Sequence, residues 1–332
     1  MISILKKPFI LFLFFAFSFN ANAQNEEYAT FISKADSLYQ AKDYKNSGLA
    51  YSNAFKALGW KGYIMDRYNA ACSWALANVP DSAFYQLNKV LSNSKGNELS
   101  SISSDPDLMS LQSDARWNVL MEDWKKLREK IEKNWDRPLV ARLDSIYRDD
   151  QEGRQRIGEV SDKYGYDSKE IKDLWKEIVE KDSLNLIKVT AILDTRGWLG
   201  EDVIGQQGNT ALFLVIQHAD ITTQVKYLPM MREAVKNGRA NASSLALLED
   251  RVALRQGKMQ IYGSQVGTDN NTGLHYVFPM EDPDNVDKRR AEVGLEPLAE
   301  YVSEWDIVWD VEQYKKNLPK YIEMAKEVFR NK

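Results

Sequence analysis

A six-residue run without a polar side chain, Ala211–Ile216, constrains the fold of this chain more than any other stretch. It follows a glycine-punctuated segment that begins at Asp194, and it leads directly into Gln217, His218 and Asp220. A helix that is apolar on every side belongs inside a domain. The polar residues at the end of this helix are therefore either partners of other buried groups or members of a functional site.

Length and composition define the class of protein. With 332 residues, the chain is long enough for two domains of ordinary size. Apolar residues make up 44% and charged residues 28%, which is the profile of a globular protein. The formal net charge is −4, so the chain has no basic field to hold nucleic acid, and we expect no nucleic-acid partner.

The first residues have the pattern of a secretory signal peptide. Lys6 and Lys7 form a positive region, Pro8–Phe19 is apolar, and Ala21–Ala23 is a small-x-small cleavage site. The apolar run is too short for a permanent membrane anchor, and no later run approaches membrane length. We therefore predict that residues 1–23 are removed, and that the mature protein has no membrane span and is periplasmic or secreted.

The only cysteine, Cys72, lies in an apolar helical pattern. An internal disulfide cannot form from one cysteine, although the predicted compartment would permit it. No neighbour in the sequence would lower the pKa of the thiol, so the pattern favours a buried, inert side chain over a nucleophile.

Residues 24–136 contain an internal helical repeat. Ser47 and Tyr51 are spaced four apart on one helix face, and the same register returns at Ala83 and Leu87, thirty-six residues later. The pattern resembles about two tetratricopeptide repeats, and stacked repeats of this kind offer a groove to a protein or peptide partner. The alternative is that these helices only support the second domain.

A boundary is predicted at Arg137, because Pro138 interrupts the helical pattern. In the following helix, polar residues are interpreted as a solvated face; they are Asp149, Asp150, Gln151 and Arg154. Further on, Ser168 resembles a helix cap, a second helix is expected to begin at Asp182 or Ser183, and Gly197 is expected to end it. The apolar helix itself is expected to start at Asn209 or Thr210.

His218 lies on the same helix face as Ala211 and Val215. It is either a core residue with one hydrogen bond or an acid–base group, with Asp194 or Asp220 to orient it. The chain has two histidines, which excludes a histidine-rich metal cage, and the spacing does not support a mixed site. The glycines fit no phosphate-binding pattern. We therefore predict neither a metal nor a cofactor.

Arg251 shares a partly apolar row of its helix, and we expect it to be partly buried. Because a buried arginine needs a counter-charge, the sequence predicts that a carboxylate pairs with it. The neighbouring Asp250 cannot face Arg251 on the same helix. Asp194 and Asp220 are the two partners considered.

Two strands are predicted at Met259–Val266 and Leu274–Pro279, joined by a turn-rich segment. Alternation places Gln260 and Tyr262 on one face of the first strand and Gln265 on the other. Gln260 and Tyr262 either contact a neutral polar ligand or satisfy the backbone of a loop. The predicted ligand-binding set is Gln217, His218, Arg251, Gln260, Tyr262 and Gln265.

Four segments of the C-terminal half resemble the markers of a bacterial domain family of unknown function. They read GWLGEDVIGQQGN, VIQHAD, LLEDRVALRQGKMQIYGSQ and EDPDNVDKRRAEVGL, and the resemblance spans roughly Leu139 to Trp305. It implies the identity of the domain and its pairing with a signal peptide and tetratricopeptide-like helices. It implies no catalytic residue.

The predicted fold is mainly α. It comprises a short tetratricopeptide-like region at residues 24–136, then a helical domain at residues 137–332 with one small β-hairpin near 259–279. The first functional hypothesis is an exported protein for interaction or ligand binding, with a polar pocket in the C-terminal domain. The alternatives are a hydrolase of envelope sugars or peptides with His218 as general base, and a purely structural scaffold.

Overall fold

The computed structural model describes residues 13–94, 99–269 and 272–330. The first twelve residues of the predicted signal peptide lie outside the described residues, as do the two asparagines of the predicted hairpin turn. The chain divides into two compact units, Met1–Lys133 and Asn134–Lys332. Among the described residues, no helix combines the length and the apolar character needed to cross a membrane.

The N-terminal unit is built from helices. They are α1 (Leu13–Gln40), α2 (Tyr44–Ala57), α3 (Ile64–Leu76), α4 (Pro80–Asn93), α5 (Leu99–Ser104) and α6 (Ala115–Ile131). Helix α1 packs on α2, and α3 packs on α4. Gly48 of α2 allows a close approach, because the ring of Trp74 lies 2.6 Å from where a Cβ would be. On α6, Trp117, Leu120 and Trp124 face inward, in agreement with their spacing in the sequence.

The C-terminal unit adds nine helices and one hairpin in the described part of the chain. They are α7 (Arg137–Gln155), α8 (Ile157–Tyr164), α9 (Lys169–Arg196), α10 (Glu201–His218), α11 (Ile221–Lys236), α12 (Ala242–Arg255), β1 (Val266–Thr268), β2 (His275–Val277), α13 (Val286–Glu292), α14 (Leu298–Ser303) and α15 (Val311–Arg330). The prediction of a mainly α fold with one small hairpin is confirmed.

Helix α10 is the centre of this unit, as its apolar run predicts. Ala211, Leu212 and Ile216 have no solvent exposure and pack among apolar residues of α7, α9, α11 and α12. A helix enclosed in this way holds its last residues in a fixed position. His218, which ends the helix, is therefore presented by a rigid element.

Two helix boundaries differ from the sequence prediction. Helix α9 continues through Asp182 as one helix of 28 residues, because its buried face continues beyond Ile178 through Asn185 and Val189 until Gly197 ends the helix. Helix α10 begins at Glu201, ahead of the predicted start at Asn209. The side chain of Asn209 donates instead to the carbonyl oxygens of two loops, at 2.7 and 2.8 Å.

Gly205 interrupts the helical geometry inside α10. Its φ is 69°, and a Cβ at this position would lie 2.8 Å from the ring of Trp135. Left-handed backbone geometry is costly for a residue with a Cβ, and the tryptophan ring occupies the space that the Cβ would need. The structure therefore has a kinked helix where the sequence predicts a glycine-rich loop.

We expect Gly205→Ala to lower the free energy of unfolding by about 3 kcal/mol, from backbone strain and overlap with Trp135 together. Gly238→Ala is the matched control, because Gly238 has φ 66° and no atom lies within 4 Å of its would-be Cβ. This control isolates the backbone cost, which is about 1 kcal/mol. Urea unfolding of both variants measures the difference, and equal losses would contradict a role for Trp135.

The hairpin is shorter than predicted. Strands β1 and β2 pair antiparallel, with Val266 opposite Val277, and Gln260 makes an isolated parallel bridge to Met280. The segment before β1 is not a strand, because Gly263 takes φ 69° and the backbone N–H groups around it turn towards the carboxylate of Asp250. The alternation expected for a strand therefore does not apply to Gln260 and Tyr262.

Candidate functional site

Helix α7 brings a buried carboxylate to the end of α10. Asp150 lies on the stripe formed by Leu143, Ile146 and Gly153, at helical spacings of three and four, and this face of α7 packs on α10. The Asp150 side chain is 1% exposed and that of His218 is 20% exposed. The prediction that Asp150 belongs to a solvated face is wrong, and its position on the apolar stripe was the signal in the sequence.

A hydrogen bond of ordinary length joins these two side chains. His218 Nδ1 lies 2.9 Å from Asp150 Oδ1. Burial raises the pKa of the Asp150 carboxyl. The hydrogen bond and charge of His218, with help from Arg154, lower this pKa by more than burial raises it, so the pKa lies below its usual range. An ionised carboxylate only accepts, so Nδ1 is the donor, and a neutral ring then carries a free lone pair on Nε2.

Three more side chains complete the polar cluster. Gln151 donates to Asp150 Oδ2 at 2.8 Å. Arg154 donates to both carboxylate oxygens of Asp182, at 3.0 and 2.8 Å, and to the backbone oxygen of Asp150 at 2.6 Å. Bidentate pairing of this kind fixes both partners. The cluster therefore holds Asp150 and, through it, the His218 ring in one orientation.

The cluster borders a cavity of about 220 Å³. Its polar lining consists of His218, Ser183 and three carboxylates, those of Asp150, Asp182 and Asp220. Its apolar lining comprises Val179, Leu186, Val215 and Ala219. Among the described residues, His218 Nε2 has no hydrogen-bond partner. The imidazole is thus anchored on one side and available on the other.

Asp150, Asp182 and His218 are also the residues of this unit best placed to hold a metal ion, since their ligand atoms lie within 4.8 Å of one another. However, the guanidinium of Arg154 already occupies both oxygens of Asp182 and lies 3.4 Å from Asp150 Oδ1. A cation bound there would have to displace this arginine. The arrangement suits an orienting ion pair better than a metal centre.

The structure does not bring the two other predicted aspartates to the imidazole nitrogen. Asp220 caps α11, where it accepts from the backbone N–H of Thr223 at 2.9 Å. Asp194 is half-exposed and accepts from Lys226 and Tyr227. The role predicted for Asp194 or Asp220, orienting His218, belongs to Asp150. Asp220 still lines the cavity, which follows from its position two residues after His218.

Arg251 is partly buried, as predicted, but its predicted carboxylate partner is absent from the described residues. Its Nε donates to Gln265 Oε1 at 3.2 Å, and its Nη1 donates to the backbone oxygen of Gln217 at 3.3 Å. The pairing with Asp194 or Asp220 is wrong because both carboxylates are engaged elsewhere. Arg251 and Gln265 line a different cavity from the one at His218.

Gln217 and Gln260 hold the fold together. Gln217 Nε2 donates to the Leu247 oxygen at 3.4 Å, and the Gln217 side chain is buried. Gln260 is fully buried, and its amide bonds both the N–H and the oxygen of Gln265 and the oxygen of Phe278. The six predicted ligand-binding residues therefore do not share one hollow.

Tyr262 is held by its backbone. Its N–H donates to the fully buried carboxylate of Asp250 at 3.0 Å, and its carbonyl oxygen accepts from Arg290 at 2.8 Å. Asp250 was missed by the sequence reasoning, because its partners follow the helix in a loop and not on the helix itself. In the N-terminal unit, Cys72 is a buried free thiol whose pKa is raised by burial.

The comparisons with known proteins concern the same C-terminal unit. The model of a family of unknown function (DUF6624) matches residues 137–312, which is more than half of the chain. No curated protein and no solved structure matches the chain.

Proposed function

The chain belongs to the DUF6624 family, whose function is unknown, and we propose that its C-terminal domain binds a small polar molecule in the cavity at His218. One observation carries this proposal: the His218 ring is fixed through Nδ1 by a buried carboxylate, while Nε2 borders a cavity of about 220 Å³ without a partner among the described residues. Anchored polar groups at a concave surface are typical of ligand sites.

The charge of the lining indicates which ligands suit this cavity. Asp150, Asp182 and Asp220 line it, and none of the described residues that line it is a lysine or an arginine. Arg154 offsets part of this negative charge from behind Asp182. Carboxylates accept hydrogen bonds and donate none when ionised. The cavity therefore favours a neutral or positively charged molecule that is rich in donors, such as a primary amine, an amino sugar or a neutral sugar.

We expect members of a panel of primary amines, amino sugars and neutral sugars to shift the imidazole NMR signals of His218 in a saturable manner. His275 is the internal reference, because it is the only other histidine and lies in the hairpin. His218→Gln should weaken binding by about tenfold or more, since a buried polar contact contributes about 1.5 kcal/mol or more. His275→Gln should leave the affinity unchanged.

Two results would contradict this binding proposal. One is that ligands bind to a folded His218→Gln variant as tightly as to the unchanged protein. The other is that no member of the panel affects His218 while His218→Gln loses several kcal/mol of stability, which would favour a scaffold in which the pair only supports the core.

A second candidate function, hydrolysis of an envelope sugar or peptide, is favoured by the Asp150–His218 pair. A carboxylate that orients an imidazole leaves Nε2 able to take a proton from an attacking water. Ser183 is not part of this chemistry, because its hydroxyl donates to the Val179 oxygen at 2.8 Å. The nucleophile in this hypothesis is therefore water.

If the protein hydrolyses chromogenic glycosides or peptide anilides, His218→Ala and Asp150→Asn should each lower kcat by about 10²–10⁴-fold, the usual contribution of a general base. His275→Ala should not change the rate. Circular dichroism establishes that each variant is folded. A turnover that survives both substitutions would exclude this mechanism.

Export and partner binding extend the proposal to the rest of the chain. The signal-peptide pattern of residues 1–23 supports a periplasmic or secreted protein. In the N-terminal unit, the paired helices support a tetratricopeptide-like surface for a protein or peptide. Trp60, Tyr63 and Met65 are exposed in and beside one loop, where large apolar side chains favour protein contacts.

A further inference from the structure

Two arginines lie one turn apart on α12 and line the same cavity. Arg251 and Arg255 are partly buried, and the cavity that they border has a volume of about 520 Å³. Its other walls combine the apolar side chains of Leu254, Val266, Phe278, Val328 and Phe329 with Gln265, Gly267 and Thr268. Two guanidinium groups therefore face a space that is otherwise suited to a hydrocarbon chain or ring.

Every acceptor that these arginines have in the described chain is neutral. Arg251 donates to Gln265 Oε1 and to the Gln217 oxygen. Arg255 donates through Nη1 to the Ala219 oxygen at 2.8 Å. Asp220 attracts Arg255 from beyond ion-pair distance. The charged groups that act on Arg251 are Arg255 and Arg154, and both repel it.

The electrostatic balance at Arg251 is unfavourable as it stands. Burial, and to a smaller extent the charge of Arg255, lower the pKa of Arg251 to about 10. Charged groups removed from water without a counter-charge destabilise a fold. Both arginines cap carbonyl groups at the end of α10, which is a structural role. That role uses Nη1 of Arg251 and Nη1 of Arg255, while Nε of Arg251 donates to Gln265.

The remaining donors have no partner among the described residues. They are Nη2 of Arg251 and Nε and Nη2 of Arg255. A guanidinium presents its donors in a planar fork that matches the oxygens of a carboxylate or a phosphate. The counter-charge that the sequence predicted for Arg251, and that the described residues do not supply, fits an external ligand.

We propose that Arg251 and Arg255 bind the anionic head group of a small amphiphile, a carboxylate or phosphate whose apolar body fills the cavity beside Leu254 and Phe278. A second cavity of about 350 Å³ lies beside the first, and Leu254, Arg255 and Phe329 line both. This site is separate from the cavity at His218, which is lined by carboxylates and would repel an anion.

The test is isothermal titration calorimetry of the full chain with four probes: decanoate, decyl phosphate, decanol and inorganic phosphate. Decanoate and decyl phosphate share the anionic head and differ in its chemistry, so comparing them identifies the preferred head group. Decanol lacks the charge and inorganic phosphate lacks the apolar body. At least one charged amphiphile should bind with one-to-one stoichiometry, and about tenfold or more tightly than either partial probe.

Substitutions identify the groups responsible. Arg251→Met and Arg255→Met should each weaken binding by about tenfold or more, and the double variant should abolish it. Arg142→Met is the matched control, because Arg142 is an exposed arginine of the same unit outside the cavity, and it should bind normally. Val328→Trp keeps both arginines and fills the cavity, so it should also lose binding.

If thermal unfolding shows that Arg251→Met does not fold, Val328→Trp and Arg251→Lys replace it in the binding test. Arg251→Lys keeps the charge. Binding that is unchanged in Val328→Trp and in a folded Arg255→Met would overturn the proposal. So would decanol binding as tightly as decanoate and decyl phosphate, or the absence of binding by both charged amphiphiles. None of these outcomes bears on ligand binding at His218.

Discussion

Asp250→Ala is expected to lower the free energy of unfolding by about 4 kcal/mol, because each buried backbone N–H left without an acceptor costs about 1–3 kcal/mol. Asp250 Oδ1 accepts from Ile261 N at 2.6 Å and from Tyr262 N at 3.0 Å, and Oδ2 accepts from Ser264 N at 3.0 Å. Alanine would remove all three acceptor contacts from a position without solvent exposure. Urea unfolding followed by tryptophan fluorescence measures the loss.

Two further variants separate this effect from the general cost of changing α12. Glu249→Ala removes the neighbouring, partly buried carboxylate, which pairs with the exposed Arg232, and should cost about 1 kcal/mol. Asp250→Asn keeps one oxygen for the two N–H groups at Oδ1 but places an amide donor against Ser264 N. Its loss of unfolding free energy should lie between those of Glu249→Ala and Asp250→Ala. An Asp250→Ala variant as stable as Glu249→Ala would show that the loop does not depend on this carboxylate.

The sequence predicts the parts of this fold that follow from local periodicity. The apolar run of α10, the stop at Gly197 and the turn-rich centre of the hairpin are each determined by residues that are close in the chain. The carboxylate pairings are not, since Asp150 meets His218 across 68 positions. Helix spacing alone places Asp150 on a face but does not say which other element covers that face.

The candidate site could be predicted only in part, because it also depends on contacts between residues that are far apart in the sequence. Arg251 is partly buried, as predicted, and His218 lies on the predicted face of its helix with one hydrogen bond. Arg251 and His218 lie on different sides of the end of α10. The backbone oxygen of Gln217 accepts from Arg251, whereas the side chain of the next residue, His218, points towards Asp150. Two adjacent residues at the end of a helix point in different directions. One predicted hollow is therefore two cavities of opposite charge, and sequence spacing could not distinguish them.

Tyr262 illustrates how a residue that resembles a ligand contact serves the fold. Asp250 accepts its N–H and Arg290 donates to its carbonyl oxygen, so both backbone groups of one loop residue are held by charged side chains. Period-two alternation predicted the direction of the Tyr262 side chain from a strand that does not form. The carboxylate of α12 and the guanidinium of α13 determine the path of this loop instead.

Arg290→Met is expected to lower the free energy of unfolding by about 3–5 kcal/mol, because two backbone carbonyl oxygens would each lose a charged donor and each such hydrogen bond contributes about 1.5–3 kcal/mol. Arg290 is fully buried and donates to the backbone carbonyl oxygens of Glu296 at 2.6 Å and Tyr262 at 2.8 Å. Its guanidinium lies 4.7 Å from the centre of the Tyr301 ring. Lys288→Met, an exposed change on the same helix, is the control and should stay within about 0.5 kcal/mol.

The double variant Asp250→Ala with Arg290→Met tests whether both groups act on the same loop. Each single change releases one side of the Tyr262 backbone, and once the loop is free the second change has less left to remove. The two losses should therefore fall short of additivity by about 1 kcal/mol or more, as expected for residues with a shared partner. Losses that add fully in urea unfolding would mean that Asp250 and Arg290 stabilise the domain independently.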